Sequence, residues 1–185
     1  MPSEFTLVEA VALPAQSSVA TAYESTNLAD AYAVRLPFGT SDDPAVLWRF
    51  VMSQQPSWIG WLTSVRDAVA GCLGLKTAKQ LAALSEEGQG DRIAFFKVYG
   101  KSDSEIILGE DDKHLDFRLS VLRSPALSPT LGAQLMVSTV VHCHNLLGRA
   151  YLWVIAPFHR LVVKASLRRA ARAGWPKAGG SSALE

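Results

Sequence analysis

The sequence predicts one α+β domain, residues 1–175, in which an antiparallel sheet of about six strands packs against a long C-terminal helix. Three observations support this prediction. Helix-start signals and helical spacing dominate residues 41–80, two-residue alternation dominates residues 92–143, and a long apolar stretch follows Asn145.

The first helices are expected after a short opening strand. Residues 1–27 show no sustained period, and Ala31 to Pro37 are predicted to form the first strand. Ser41-Asp42-Asp43-Pro44 is typical of a helix start, because aspartate accepts from free backbone N–H groups and proline is tolerated at the first helical position. A second helix is predicted from Ser57 and a short third one after Thr77.

The strands are predicted from residue 92 onward. Ile93 to Tyr99 and Glu105 to Gly109 flank a polar turn, which indicates a hairpin. The next strand alternates polar residues with apolar ones, so one face should pack inward and the other should be polar. In this strand the apolar face contains Leu115, Phe117, Leu119 and Val121. The last strand is expected to continue that face with Leu135, Val137, Thr139, Val141 and Cys143.

The final helix is predicted to begin at the N-cap Asn145 and to cover the sheet. Pro157 is expected to kink or split it, because proline lacks the N–H donor and clashes with the preceding turn. Residues 176–185 are expected to be a flexible tail ending in a cloning remnant. The apolar stripe expected to face the sheet consists of Leu147, Tyr151, Val154, Ile155, Phe158, Leu161, Val162 and Ala165.

Composition limits the class of protein. Hydrophobic residues make up 49% and charged residues 19%, which is typical of a globular chain and unlike disordered or collagen-like sequences. Cys72 and Cys143 lack metal-type spacing and suit a reducing compartment, so a cytoplasmic location is expected. No basic residue precedes Arg35, which argues against a secretory signal. The most apolar stretch, Tyr151 to Val163, is too short to cross a bilayer, so no transmembrane segment is expected.

Charge is unevenly distributed along the chain. The net charge is +1, but the first 34 residues contain acids and no bases, whereas residues 149–177 contain seven bases and no acid. The simpler interpretation is a solvated basic helix end that interacts favourably with the helix dipole. The alternative is a surface for a membrane or a protein partner. A nucleic-acid partner is not expected.

Three sequence stretches together resemble the bacterial domain of unknown function 2867 family. They are Gly109-Glu110-Asp111-Asp112-Lys113-His114-Leu115-Asp116-Phe117-Arg118, His144-Asn145-Leu146-Leu147-Gly148-Arg149-Ala150-Tyr151 and Pro157-Phe158-His159-Arg160. The resemblance extends over roughly residues 5–172, most of a typical domain. The family has no settled activity. The order of elements is also similar, more weakly, to START-like helix-grip domains, and this similarity implies an apolar cleft between the sheet and the helix.

The polar candidates are His114, Asp116, Arg118 and His144, which can meet if the fourth strand and the last strand are neighbours. A hydrogen-bonded structural network is the favoured interpretation. Substrate binding or acid–base chemistry is the second. A zinc site formed by His142, His144 and an opposing carboxylate is the third, and neither a metal nor a cofactor is predicted.

The leading functional hypothesis is a module that binds a small apolar or amphipathic molecule. Its cavity is expected between the sheet and the final helix, lined by Tyr151, Ile155, Phe158 and Val162, with His159 facing either the cavity or solvent. One alternative is an enzyme, a hydrolase, cyclase or isomerase, acting in the same cavity. Another is a peripheral membrane or protein-interaction domain, which an exposed Trp or Leu patch beside the C-terminal cations would favour. The ligand, the reaction and the oligomeric state stay open.

Overall fold

The structure is a computed structural model, and it describes residues 4–61, 64, 67, 91–93, 96–125 and 132–179. In these residues seven antiparallel strands form one sheet, which confirms the α+β prediction with one strand more than expected. Two helices lie entirely within the described residues, α1 (Pro44–Ser53) and α2 (Leu146–Ala173), and 3-10 turns lie at Glu4–Thr6 and Ser18–Thr21. In spatial order, the strands are β1 (Val8–Val11), β2 (Leu28–Arg35), β7 (Gln134–Cys143), β6 (Leu115–Ser124), β5 (Glu105–Asp111), β4 (Phe96–Lys101) and β3 (Arg92–Ile93).

The start of α1 confirms the predicted helix signal. Asp43 is the N-cap, and its Oδ1 accepts from the backbone N–H of Ala45 at 2.7 Å, while Pro44 occupies the first helical position. Residues 57–61 are also helical, as expected from Ser57. The rest of that helix, and the third helix predicted after Thr77, lie outside the described residues.

The N-terminal segment is more regular than expected. β1 pairs with β2, with Val8 opposite Val34, and β2 begins at Leu28 rather than at the predicted Ala31. The four residues of β1 are too few for a local alternation to be recognised. They form a strand because they pair with residues that lie twenty or more positions away in the chain.

The face of the sheet toward the helices contains most of the core. Leu115, Leu119, Val137 and Val141 are buried there as predicted, while Phe117 is half-buried and packs edge-on against Phe96.

The opposite face, which was predicted to be polar, is covered in its central part. Ser120, Ser138 and Val140 are fully buried, because the chain around the 3-10 turn Ser18–Thr21 packs over β6 and β7, with Val19 inserted. Alternation shows which residues share a face, but it does not show what covers that face.

α2 is one continuous helix through Pro157, so the helix is not split. Its packed side contains Tyr151, Leu152, Leu167 and Ala170, and the predicted stripe is wrong for Leu147, Val154, Phe158 and Leu161, which are exposed. Residues 146–163 are apolar on nearly all sides, so helical periodicity alone could not select the packed side.

The residues after α2 return to the body of the protein. Trp175 is buried and lies beside Phe50, with ring centroids 6.0 Å apart. Residues 176–178 were expected to belong to the flexible tail, but the carbonyl of Pro176 accepts from Ser41 N–H and Ala178 N–H donates to Gly39, both at 2.8 Å. This end of the chain is therefore anchored to the loop that precedes α1.

Candidate ligand-binding site

The start of α2 is locked onto the turn between β5 and β6. Asn145 Oδ1 accepts from the N–H of Gly148 at 3.1 Å, and its Nδ2 lies 2.9 Å from Nδ1 of His114. Because the amide nitrogen can only donate, the His114 proton is assigned to Nε2. A Cβ on Gly148 would overlap the carbonyl oxygen of His114. Buried His114 therefore positions the helix, and a role in ligand binding stays a prediction.

Three further predicted residues, Asp116, Arg118 and His144, lie on the sheet face away from the helices. The register places Asp116 opposite His142, which confirms that the two strands are neighbours. We call this group the sheet-face cluster, and its members are Tyr23, Tyr99, Asp111, Asp116, Arg118, His142 and His144.

Arg118 is the centre of this cluster. Its Nη1 lies 2.7 Å from Asp111 Oδ1, and its guanidinium carbon lies 3.6 Å from the ring centroid of Tyr99 and 5.7 Å from that of Tyr23. Room for the arginine stem comes from Gly109, since a Cβ there would lie 3.0 Å from Arg118 Cδ. Cation–π contact and a charge-assisted hydrogen bond therefore hold the guanidinium in place.

The ionisation of these groups follows from their contacts. Burial alone would raise the pKa of Asp111, but hydrogen bonds from Arg118 and from the Tyr99 hydroxyl outweigh it, so this pKa is lowered. The pKa of Tyr23 is raised to about 12, mainly by burial. The positive charge of Arg118 acts to lower this pKa, and the negative charges of Asp116 and Asp111 act to raise it. The cluster thus contains a fixed cation–anion pair and neutral phenols at neutral pH.

The two histidines of the cluster contact different acceptor oxygens. His142 Nδ1 lies 2.8 Å from the Ser25 carbonyl, and its ring stacks on Tyr23 with centroids 5.6 Å apart. His144 Nε2 lies 2.9 Å from Asp116 Oδ2. Each of these nitrogens faces an acceptor oxygen and therefore acts as a donor. Within the described ranges, no three His, Cys, Asp or Glu side chains are grouped so that they could hold a metal ion.

A buried carboxylate at the other end of this face was missed by sequence reasoning. Glu105 is 7% exposed and accepts from the hydroxyls of Ser17 at 2.6 Å, Ser18 at 2.8 Å and Ser120 at 2.6 Å. Burial alone would raise its pKa, but these hydrogen bonds outweigh it and the pKa is lowered. The carboxylate attaches the covering segment to the sheet, and no local sequence signal indicates these long-range partners.

A groove of about 440 Å³ runs along α2 on the side of the sheet that carries the helices. Arg160 Nε lies 3.4 Å from Asp30 Oδ2, whereas the side chain of Arg149 has no hydrogen bond or ion pair to the described part of the chain. We call this feature the helix groove, and it is lined by Asn27, Leu28, Arg149, Leu152, Trp153, Ala156, Pro157 and Arg160.

The cavity residues predicted from the sequence are not among those that line the helix groove. Tyr151 is buried in a packed cluster with Leu152. The side chains of Ile155 and Val162 are half-buried. Phe158 is 46% exposed on the outer side of α2. A role of Phe158 in lining a ligand cavity stays a prediction.

His159 approaches Asp30, with 3.5 Å between Nε2 and Oδ1, rather than an open cavity. Of the groove cations, Arg149 stands in the stretch from His144 to Tyr151 and Arg160 in the stretch from Pro157 to Arg160 that carry the family resemblance, but neither was predicted to contact a ligand. Both were missed because the wrong side of α2 was expected to pack on the sheet.

These features define an α+β protein with one antiparallel sheet and a C-terminal helix packed on it. Residues 22–166 match the family model described as a protein of unknown function (DUF2867), and the chain belongs to this family. No curated protein matches the chain, and no solved structure does. The similarity to START-like helix-grip domains is not confirmed and stays a prediction.

Proposed function

We propose that the protein binds a small amphipathic anion in the helix groove. The main supporting observation is that Arg149, which has no ion pair with any described residue, lines a groove of about 440 Å³ together with apolar Leu28, Leu152 and Trp153. Ligand pockets are typically about 300–1,000 Å³ in volume and combine apolar walls with a few polar groups. The groove is therefore large enough for a short acyl chain with one charged end.

The lining residues suggest how such a molecule would be held. A guanidinium binds a carboxylate or phosphate through two parallel hydrogen bonds. Arg160 already faces Asp30, so Arg149 has more capacity for an added anion. Pro157 has no N–H, so the Trp153 carbonyl lacks its regular helical donor and can accept from a hydroxyl group of the ligand. Trp153 and Leu152 would cover the apolar part.

Calorimetric titration with octanoate, and with octanol as the uncharged comparison, tests this proposal. We expect octanoate to bind and octanol to bind much more weakly. Arg149→Gln should weaken octanoate binding roughly 10- to 100-fold, because a hydrogen bond to a charged group contributes about 1.5–3 kcal/mol. Arg169→Gln is the matched control, since Arg169 is an exposed arginine of the same helix outside the groove. Equal weakening by both variants, or equal binding of both probes, would contradict the proposal.

An enzymatic role is the second candidate, and one observation favours it. Asp116 orients the half-exposed imidazole of His144 at 2.9 Å, an arrangement that can serve in general acid–base catalysis. This pair lies on the sheet face opposite the helix groove, so the two roles can be separated. Hydrolysis of p-nitrophenyl esters that is lost in His144→Gln, while octanoate binding is retained, would support the enzyme. The absence of hydrolysis, or its persistence in His144→Gln, would count against it.

A further inference from the structure

We infer that α2 docks the protein onto an anionic lipid surface through the side of the helix that faces away from the sheet. This inference goes beyond ligand binding, since it depends on side chains outside the helix groove as well as on Trp153. We call this side the outer face of α2, and its apolar members are Leu146, Leu147, Trp153, Val154, Phe158 and Leu161.

The outer face is unusually apolar for a surface in contact with water. Trp153 is 80% exposed and Leu146 is 78% exposed, and the other four members are between 42% and 54% exposed. Spacings of seven and eight residues, which correspond to about two helical turns, connect Leu146, Trp153, Val154 and Leu161 and place them on one side of the helix. Large contiguous apolar patches on soluble proteins mark interaction sites for a protein or a membrane.

Charge complementarity identifies the occupant as an anionic lipid surface. α2 contains no Asp or Glu, and Arg168, Arg169 and Arg172 are exposed at its C-terminal end, without an ion pair to the residues that the structure describes. Helices with an apolar face and flanking cations bind at the interface of anionic bilayers. A second copy of the chain would match the apolar area but would bring further cations and no acidic side chain from this helix.

The geometry fits a helix that lies on the lipid surface rather than one that spans the bilayer. By length and composition α2 could cross a membrane, since its most apolar 18 residues have a mean hydropathy of 1.2 and only 17% of that window is buried inside the protein. Tyr151, Leu152 and Leu167 pack on the sheet, and Asp30 contacts His159 and Arg160. A spanning helix would have to break these contacts, whereas surface docking keeps them. Trp153 is the residue type enriched at the membrane interface.

The test is cosedimentation with phosphatidylcholine vesicles that contain or lack phosphatidylserine. We expect binding only to the phosphatidylserine vesicles, and binding that weakens as salt rises because salt screens the surface charges. Trp153 should move from water into lipid, so a blue shift of tryptophan fluorescence should accompany binding and should be lost in Trp153→Phe.

Two sets of variants separate the apolar and the electrostatic contributions. Val154→Asp with Leu161→Asp should abolish vesicle binding, whereas Phe38→Asp should not, because Phe38 is 74% exposed but lies outside α2. Replacing Arg168, Arg169 and Arg172 by Gln should weaken vesicle binding roughly a hundredfold, because each cation near an anionic surface contributes about 1 kcal/mol to binding. The matched control replaces by Gln three exposed lysines outside the C-terminal basic stretch, namely Lys97, Lys101 and Lys113.

The possible outcomes separate this inference from the proposed function. Val154 and Leu161 do not line the helix groove, so their double variant should still bind octanoate even after vesicle binding is lost. Circular dichroism confirms that the variants are folded. Equal binding to both kinds of vesicle, no binding to either, or unchanged binding by the double variant would overturn the inference. Concentration-dependent dimerisation that the double variant loses, without vesicle binding, would identify a second copy as the occupant.

Discussion

Replacing Gly148 by Ala tests how α2 is attached to the sheet. Gly148 lies in the first turn of α2, and the absence of a side chain allows the helix to approach the carbonyl oxygen of His114 closely. A Cβ at this position would overlap that oxygen and would also lie 3.4 Å from the Cβ of Cys143. The neighbouring atoms are backbone and a buried side chain, so the helix start itself must move.

Two opposing effects determine the magnitude. Ala is favoured over Gly inside a helix by about 0.8–1 kcal/mol. Overpacking at a tightly packed site costs about 1–3 kcal/mol. Because the contact is with backbone, we expect overpacking to dominate and the free energy of unfolding to fall by about 1–2 kcal/mol.

Gly60 supplies the matched control, since it is helical and a Cβ there would meet no atom of the described residues within 4 Å. Gly60→Ala should raise the free energy of unfolding by about 0.5–1 kcal/mol. The two variants should therefore differ in Tm by roughly 3–12 °C for a chain of this size. Differential scanning calorimetry measures the difference. If Gly148→Ala is as stable as Gly60→Ala, the described approach of α2 to His114 is incorrect.

Two further predictions concern the sheet. The folded-state pKa of Glu105 is lowered, so its hydrogen bonds stabilise the fold above the unfolded pKa of about 4.3, and this contribution is lost as the pH falls through the folded value. We expect urea unfolding at pH 7 to show that Glu105→Gln has a free energy of unfolding about 2 kcal/mol below that of the wild-type protein. Between pH 7 and pH 3 the variant should lose less stability than the wild-type protein does. The same pH dependence in both proteins would contradict the network. Phe117→Ala should lower the free energy of unfolding by about 3 kcal/mol, which is at the lower end for a core phenylalanine because the ring is half-buried. Phe38→Ala, on the surface, should lower it by less than about 0.5 kcal/mol. Equal unfolding midpoints in urea for these two variants would show that the face of β6 is misassigned.

Several local features were determined by the sequence alone. The helix start at Asp43-Pro44 and the N-cap at Asn145 depend on side chains that bond backbone N–H groups two or three residues away, so the necessary chemistry is contained in a few consecutive residues. The meander could be predicted for a similar reason. Two-residue alternation assigns the faces of β6 and β7, and short turns make consecutive strands neighbours, which placed Asp116 beside the last-strand histidines.

Only the tertiary structure decided which of these surfaces are covered and which are exposed. α2 is apolar on nearly all sides over residues 146–163, so its sequence was compatible with packing either side, and the sheet selected the side of Tyr151 and Leu152. The carboxylate of Glu105 is satisfied by serines as distant as 88 residues, and β1 exists because it pairs with β2. The helix groove and the outer face of α2 are consequences of that packing. Helical and strand periods are local properties, whereas the choice of packing partner depends on contacts between segments far apart in the chain.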